Sequence, residues 1–310
     1  MLDPYFQSPY SQQWNLGYGQ EIGKNMALEF DYVHILGLHE FTSLDINPRI
    51  GPLINANRSS PNPARILAGP FAAHAAELTA AFGTPSPFAR ITVAQSDGRS
   101  RYDAFTVSFK RRYANKIQFN AHYTMSKAVA WFGQSGDFGN VAQNQFVKFD
   151  PAADFGPTDA DERHRFVASG IFDLPGGFQI APIFQMASPR RWSVFPSCGC
   201  DINKDGVTFE NRDSRDGNDQ HSLPPNTMRG DNFSQLNIRV SKFFKFGEKR
   251  QLGLFFEAFN VFNTANFGRE FQNTTGQPDF GKPINFFGAT GFSEPLGIPF
   301  QAQIGARFTF

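Results

Sequence analysis

Hydrophobic and polar residues alternate in runs along much of this 310-residue chain, and the last run is among the cleanest. Phe300, Ala302, Ile304, Ala306, Phe308 and Phe310 fall on one side. Gln301, Gln303, Gly305, Arg307 and Thr309 fall on the other. Successive side chains of a strand point to opposite faces, so the run predicts a strand that is oily on one face and wet on the other. Its length matches the roughly 9–11 residues a tilted strand needs to cross a bilayer. A strand of a soluble sandwich can carry the same pattern.

The remaining runs come in pairs. Trp14, Leu16, Tyr18 and Ile22 oppose Gln13, Asn15, Gly17, Gly19 and Glu21. After a turn around Gly23-Lys24-Asn25, Met26, Leu28, Phe30 and Tyr32 oppose Ala27, Glu29 and Asp31. Phe105, Val107 and Phe109 lead into a turn at Arg111–Lys116, and the basic run Lys110-Arg111-Arg112 is placed in that turn. The chain returns with Ile117, Phe119, Ala121, Tyr123 and Met125 against Gln118, Asn120, His122, Thr124 and Ser126. A third pair spans 164–174 and 177–187 around Leu174-Pro-Gly-Gly177, a strong turn signal. Pro182 sits inside its second strand, where it cannot donate to the ladder. A fourth pair spans 233–245 and 250–263, turning at Phe246-Gly-Glu-Lys249. With the final run, the period-two pattern predicts about nine strands.

The connections are unequal. Turns within pairs are a few residues long, whereas 37–101, 128–163, 188–232 and 264–299 are long and rich in Gly, Pro, Asn and Asp. Bacterial barrels have short periplasmic turns and long extracellular loops. The pattern therefore predicts an all-β, antiparallel transmembrane β-barrel with long extracellular loops. If the chain ends on the periplasmic side, every short turn falls on that side too, and Met1–Tyr10 lies at the outer surface. Barrels of this kind have even strand counts, and an open edge in lipid leaves backbone groups unpaired. About nine strands are therefore expected to be part of a larger barrel.

Composition narrows the class. Hydrophobic residues make up 40% and the mean hydropathy is −0.37, and no stretch approaches the ~18 apolar residues of a membrane-spanning helix. Barrel strands escape that criterion because half of each faces a polar lumen. A net charge of +1 argues against a nucleic-acid partner. Met1-Leu-Asp-Pro-Tyr5 carries neither the cationic start nor the apolar stretch of a signal peptide. Since an outer-membrane protein must be exported, the chain is expected to be the tail of a longer one.

Several segments resemble a known family. Asp161-Glu-Arg-His-Arg-Phe-Val-Ala-Ser-Gly-Ile-Phe-Asp-Leu-Pro175 is similar to a hallmark strand of TonB-dependent receptors. So are Leu236-Asn-Ile-Arg-Val-Ser-Lys-Phe-Phe244 and Phe256-Glu-Ala-Phe-Asn-Val-Phe-Asn-Thr-Ala-Asn-Phe267. The closest resemblance is to Oar-like receptors, and Tyr102–Arg112 followed by Phe119–Lys127 is similar to another of their strand pairs. The resemblance runs from about Ser8 onward. It implies a barrel of about 22 strands around an N-terminal plug, coupled to the inner membrane through a TonB box. Neither plug, TonB box nor signal peptide is recognisable in 1–310, so the whole chain is expected to be the C-terminal portion of the barrel. TonB would then act only through a longer parent. The terminal Phe310 resembles the signal read by the barrel-assembly machinery, and outer-membrane lipid is the other expected partner. The resemblance implies uptake of a ligand whose identity is not encoded in any readable motif.

Candidate chemistry is sparse. In Asp201-Ile-Asn-Lys-Asp-Gly206, Asp201, Asn203 and Asp205 offer oxygen ligands at alternate positions and Gly206 permits a sharp turn, as in the first half of a calcium loop. The twelfth position is Arg212 rather than a bidentate Glu, with Glu210 and Asp213 as substitutes, so a solvated acidic turn competes with a structural Ca2+ site. Receptors of the resembled family carry a similar Asp-x-Asn-x-Asp-Gly stretch in an outer loop, which implies structural calcium rather than catalysis. No cofactor is otherwise required. Cys198 and Cys200 would tend to pair in an oxidising compartment, although a bridge across one residue is strained and zinc would need further ligands.

His122 and His164 read as lumen or rim residues, and the Glu29/Asp31 pair as a hydrated wall. No hydrolase elbow, phosphate loop or zinc-protease motif occurs, so no enzymatic activity is expected. Trp131, Phe138, Trp192, Phe195 and Phe286-Phe287 in the outer loops suit ligand stacking or loop self-packing, and Gln143-Asn144-Gln145 suits a polar ligand. Two other architectures fit the same rhythm. One is a stand-alone porin-like outer-membrane barrel, and the other a soluble extracellular carbohydrate-binding β-sandwich.

Overall fold

The structure, a computed structural model, describes residues 2–45, 75–82, 92–131, 155–194, 225–247, 250–268, 271–285 and 299–310. In chain order the elements are β1 (Tyr10–Ile22), β2 (Met26–Asp45), α1 (Ala75–Phe82), β3 (Thr92–Ala114), β4 (Ile117–Trp131) and β5 (Phe155–Pro157). There follow β6 (His164–Leu174), β7 (Phe178–Ala187), β8 (Arg191–Trp192), β9 (Met228–Arg229), β10 (Phe233–Phe246), β11 (Arg250–Phe259) and β12 (Gln301–Thr309). Nine of these strands lie side by side in the order β1-β2-β3-β4-β6-β7-β10-β11-β12, each antiparallel to its neighbours. Short β5 pairs with the far end of β4, and β8 and β9 form a separate ribbon.

Register carries the alternation across the wall, with shifts only in the outer part of β2–β3 and beside the β3–β4 turn among the described residues. One row runs Tyr18, Phe30, Val107, Tyr123, Phe166 and Met186 from β1 to β7. Another runs Phe172, Ile180, Val240, Phe256 and Ile304 from β6 to β12. Because the side-chain period is two, rows of this kind give the whole wall one apolar face and one polar face. The apolar face is not packed against a second sheet: Leu16 is 75% exposed and Ile304 85%. A water-soluble sandwich would bury these residues, so the sandwich reading is set aside. Among the described residues the sheet is open, with β1 and β12 each pairing on one side only.

The short connections form through residues suited to them. Asn115 and Lys116 have φ of 53° and 68°, the left-handed pair that lets a two-residue turn match the twist of its flanking strands. The turn therefore needs only those two residues. Lys110-Arg111-Arg112, expected in the turn, instead belongs to β3, with Lys110 opposite Ala27 and Arg111 opposite Met26. At 175–177, Gly176 and Gly177 have φ of 75° and 79°, and a Cβ on Gly177 would lie 2.8 Å from the Phe243 carbonyl oxygen. The β6–β7 ladder has a gap between Ser169↔Ile183 and Phe172↔Ile180, the interval that contains Pro182 and its missing N–H. Thr309 pairs with Gln251 at the start of β11, so the carboxyl end lies with the short connections, as the strand parity requires.

Several expected boundaries move, one of them at β4, which runs on to Trp131 past the loop expected from 128. The sequence pattern predicts a loop over 37–101, yet β2 and β3 stay paired out to Asp45↔Thr92 across irregularities near Leu38, Glu40 and Thr42. At 20 and 23 residues they exceed a membrane crossing by far and project beyond the wall. Polar residues on both faces of the extension, such as the successive Arg99 and Ser100, hide it from a search for one-sided alternation. A further shift is at β11, which ends at Phe259 rather than 263, where Asn260 takes φ 48°.

Candidate functional site: the polar wall and its outer rim

The polar face is stitched by cross-strand side-chain pairs, the unit of stabilisation in a sheet. Across β2–β3, Lys110 Nζ lies 2.5 Å from Glu29 Oε2. Across β3–β4, Thr106 and Thr124 share a hydroxyl hydrogen bond of 2.9 Å, and His122 Nδ1 lies 2.8 Å from Ser108 Oγ. Across β10–β11, Arg239 Nε is 3.2 Å from Glu257 Oε1, and Gln303 of β12 donates to Glu257 Oε2. These pairs use the donors and acceptors that lumen-facing positions supply, and each half-exposed ion pair contributes modestly.

Towards the carboxyl end the same face changes character. Two shallow grooves of about 360 and 380 Å3 adjoin there and share Ile171, Ala181 and Arg239. Phe243 and Phe255 meet edge to face at 6.0 Å, and the Arg239 guanidinium lies 4.5 Å above the Phe255 ring. Gly253 leaves room for both rings, since a Cβ there would come within 2.9 Å of Phe255 and 3.2 Å of Phe243. This surface can hold a molecule with both apolar and charged parts.

At the outer rim, the corner before β6 is clamped by charge. The Asp161 side chain is fully buried and accepts from Ala128 N at 2.8 Å, Arg163 Nε at 3.0 Å and Arg191 Nε at 2.9 Å. Glu162 bonds Arg165 at 3.1 Å and Arg190 at 2.8 Å. Three N–H groups around one carboxylate satisfy it as water would, which makes its burial tolerable. The Asp161–Arg165 segment stood out in the sequence, but Arg190 and Arg191 carried no signal there. They are found only because β7 returns beside β6.

The asparagines of the Phe256–Phe267 segment are turn formers. Asn260 Nδ2 and Oδ1 bond Thr264 O and N at 2.9 and 3.0 Å, and Asn237 Oδ1 accepts from Asn260 N at 2.9 Å. Asn266 brackets Ser234 in the same way, at 2.8 and 2.9 Å. Asn263 Oδ1 takes the Phe300 amide at 2.9 Å and so ties the start of β12 to the end of β11. Each amide side chain replaces a ladder partner where the backbone leaves the sheet.

The expected site residues separate into placed and unplaced. His122 points to the polar face, as anticipated, and His164 sits at the rim on the apolar side, stacked on Tyr123 with a 2.8 Å contact from the hydroxyl to Nδ1. Trp131 closes β4. Trp192 stacks on Phe271 at 5.5 Å and meets Phe280 edge-on at 5.9 Å, with Val194 and Met228 completing a small core outside the sheet. For Trp192, loop self-packing is therefore the observed role. Asp201, Asn203 and Asp205, Cys198 and Cys200, Phe138, Gln143-Asn144-Gln145, Phe195 and Phe286-Phe287 lie outside the described residues. Among the described residues no group of three or more His, Cys, Asp or Glu could hold a metal ion. No described helix is long and apolar enough to cross a membrane, which has no bearing on strands.

Comparison with known proteins agrees with the wall. The family described as an outer membrane beta barrel domain matches residues 1–188. Among solved structures, the outer membrane transporter YddB from Escherichia coli is similar at 14% identity with a TM-score of 0.46, over 84% of this chain and 29% of that one. The chain thus spans less than a third of the length of that transporter. No curated protein matches. With more than half of its length matched, the chain belongs to the outer-membrane β-barrel domain family, and its place is the outer membrane.

Proposed function

We propose that residues 1–310 form the C-terminal barrel portion of a TonB-dependent outer-membrane receptor of the Oar-like kind. The observation that carries this reading is the open edge on both sides of a nine-stranded, two-faced wall. In lipid an unpaired edge leaves backbone groups without partners, so further strands of the same barrel would complete it. On this reading β12 and Phe310 engage the barrel-assembly machinery, TonB acts through a longer parent, and the polar wall lines the path of a ligand whose identity is open. The chain itself performs no bond chemistry. The resemblance of Asp161–Pro175, Leu236–Phe244 and Phe256–Phe267 to receptor strands supports the subtype.

Cross-linking tests the edges. In outer membranes, Gln13→Cys in β1 and Gln303→Cys in β12, with Cys198→Ser and Cys200→Ser, should give no intramolecular disulfide. Efficient cross-linking would mean that β1 and β12 close on one another, and the porin-like barrel would replace this reading. Structural calcium at Asp201, Asn203 and Asp205 is the accompanying proposal. Calorimetry on a peptide spanning 198–213 should show calcium heat at millimolar ion, and a flat titration removes it.

A further inference from the structure

On the apolar face, the oily band ends abruptly at the outer side of β2, β3 and β4. The last mostly apolar row is Leu16, Tyr32, Phe105, Met125 and His164. The next is Trp14, His34, Asp103 and Lys127, followed by Gln12, Leu36, Arg101 and Val129. Titratable side chains on a lipid-facing surface are costly at mid-bilayer and inexpensive at the interface, so these rows mark the headgroup level of the outer leaflet.

The polar groups here are organised rather than scattered. Asp103 Oδ1 accepts the Tyr32 hydroxyl at 2.9 Å and lies 2.7 Å from His34 Nδ1, while Oδ2 lies 3.1 Å from Arg101 Nε. Among the described residues Arg101 thus commits one nitrogen to Asp103, and its two terminal nitrogens make no ion pair there. Lys127 stands opposite Asp103 in the β3–β4 register, and no described carboxylate pairs with it. Tyr32, Asp103, Phe105, Met125, Lys127 and His164 line an open groove of about 310 Å3. Its floor is aromatic and thioether, its outer lip carries Lys127 beside Asp103, and Arg101 stands one row beyond it.

We propose that this groove seats the phosphorylated sugar headgroup of an outer-leaflet glycolipid of the lipid A type. The apolar floor suits the roots of acyl chains, and Lys127 with the terminal nitrogens of Arg101 suits a phosphate one row further out. A soluble anion would have no reason to be met on the oily side of the wall. Two cations and one carboxylate across these rows leave the lip positive, the sign an anionic headgroup requires. The site is separate from the polar wall and does not depend on what that wall conducts.

Native mass spectrometry of the full chain, extracted from outer membranes in mild detergent, tests the proposal. The wild-type chain should retain diphosphorylated lipid A. Arg101→Ala with Lys127→Ala should lower the retained fraction about tenfold, at roughly one factor of a few per cation. Arg101→Lys with Lys127→Arg should keep it, which separates lost charge from lost folding. Lys24→Ala, in a turn at the opposite end, makes the same charge change as Lys127→Ala alone and should have no effect. Dephosphorylated lipid A added back should not be retained. Equal retention by the double alanine variant, equal loss in Lys24→Ala, or equal retention of phosphatidylglycerol would overturn the assignment. If the double variant fails to reach the membrane, Lys127→Ala alone should still reduce retention about threefold, and an unchanged value would overturn it as well.

Discussion

The polar face of this wall has two halves with different chemistry. Between β1 and β4 it is built from Gln13, Asn15, Glu29, Asp31, Thr106, Ser108, Asn120 and His122, of which Glu29 pairs with Lys110, Thr106 with Thr124 and Ser108 with His122 across strands. Between β6 and β12 the same positions include Ile171, Ala181, Ile183, Phe243, Phe255 and Phe259, with charge at Arg239, Glu257 and Arg307 in the grooves. The outward face shows no such division, because lipid imposes one demand on every strand. The inward face answers to whatever occupies it, so the difference between halves reports on contents rather than on folding. The Asp161 corner lies at the joint between the two halves.

The joint should show the largest effect. Asp161→Ala removes the buried acceptor of two guanidinium groups and of Ala128 N, and should destabilise by about 3–5 kcal/mol, measured as the urea midpoint of the full chain in detergent micelles. An unchanged midpoint would show that the halves are not held there.

Next comes the contrast of faces on one strand. Ile304→Lys, opposite Phe256 on the apolar side, should cost on the order of 2–4 kcal/mol, while Gln303→Lys beside Glu257 should cost little. Equal costs would refute the assignment of faces. Smaller still, Phe255→Ala in the apolar half should lose the ring pair with Phe243 and the contact with Arg239, about 1–2 kcal/mol. In the polar half, Glu29→Gln should change stability by less than ~1 kcal/mol, and by less again at high salt, because its Lys110 partner is partly solvated. If Glu29→Gln proves the costlier of the last two, the division of the inward face is wrong.

Much of the wall was legible because alternation is a local property. Trp14 to Ile22, Ile117 to Met125 and Phe300 to Phe310 each state their two faces within ten residues or so, and the glycine and asparagine turns state where the chain reverses. Lys110-Arg111-Arg112 misled for the same reason: a basic triplet looks like a turn until the neighbouring strand is seen to pair with it. The outward cluster of His34, Arg101, Asp103 and Lys127 was invisible, since each residue alone reads as an interruption of an oily run. Only register shows that the interruptions align.

By itself, then, the sequence determined which side of each strand faces oil, where the tight turns fall and which class of wall they make. Those depend on side-chain polarity and on the two-residue repeat of an extended backbone. Tertiary structure alone decided that Arg191 reaches Asp161, that Trp192 rests on Phe271, and that Phe243 meets Phe255 on the inward side. Period-two spacing is blind to such meetings, because it fixes the direction of a side chain without naming the distant segment that will lie beside it.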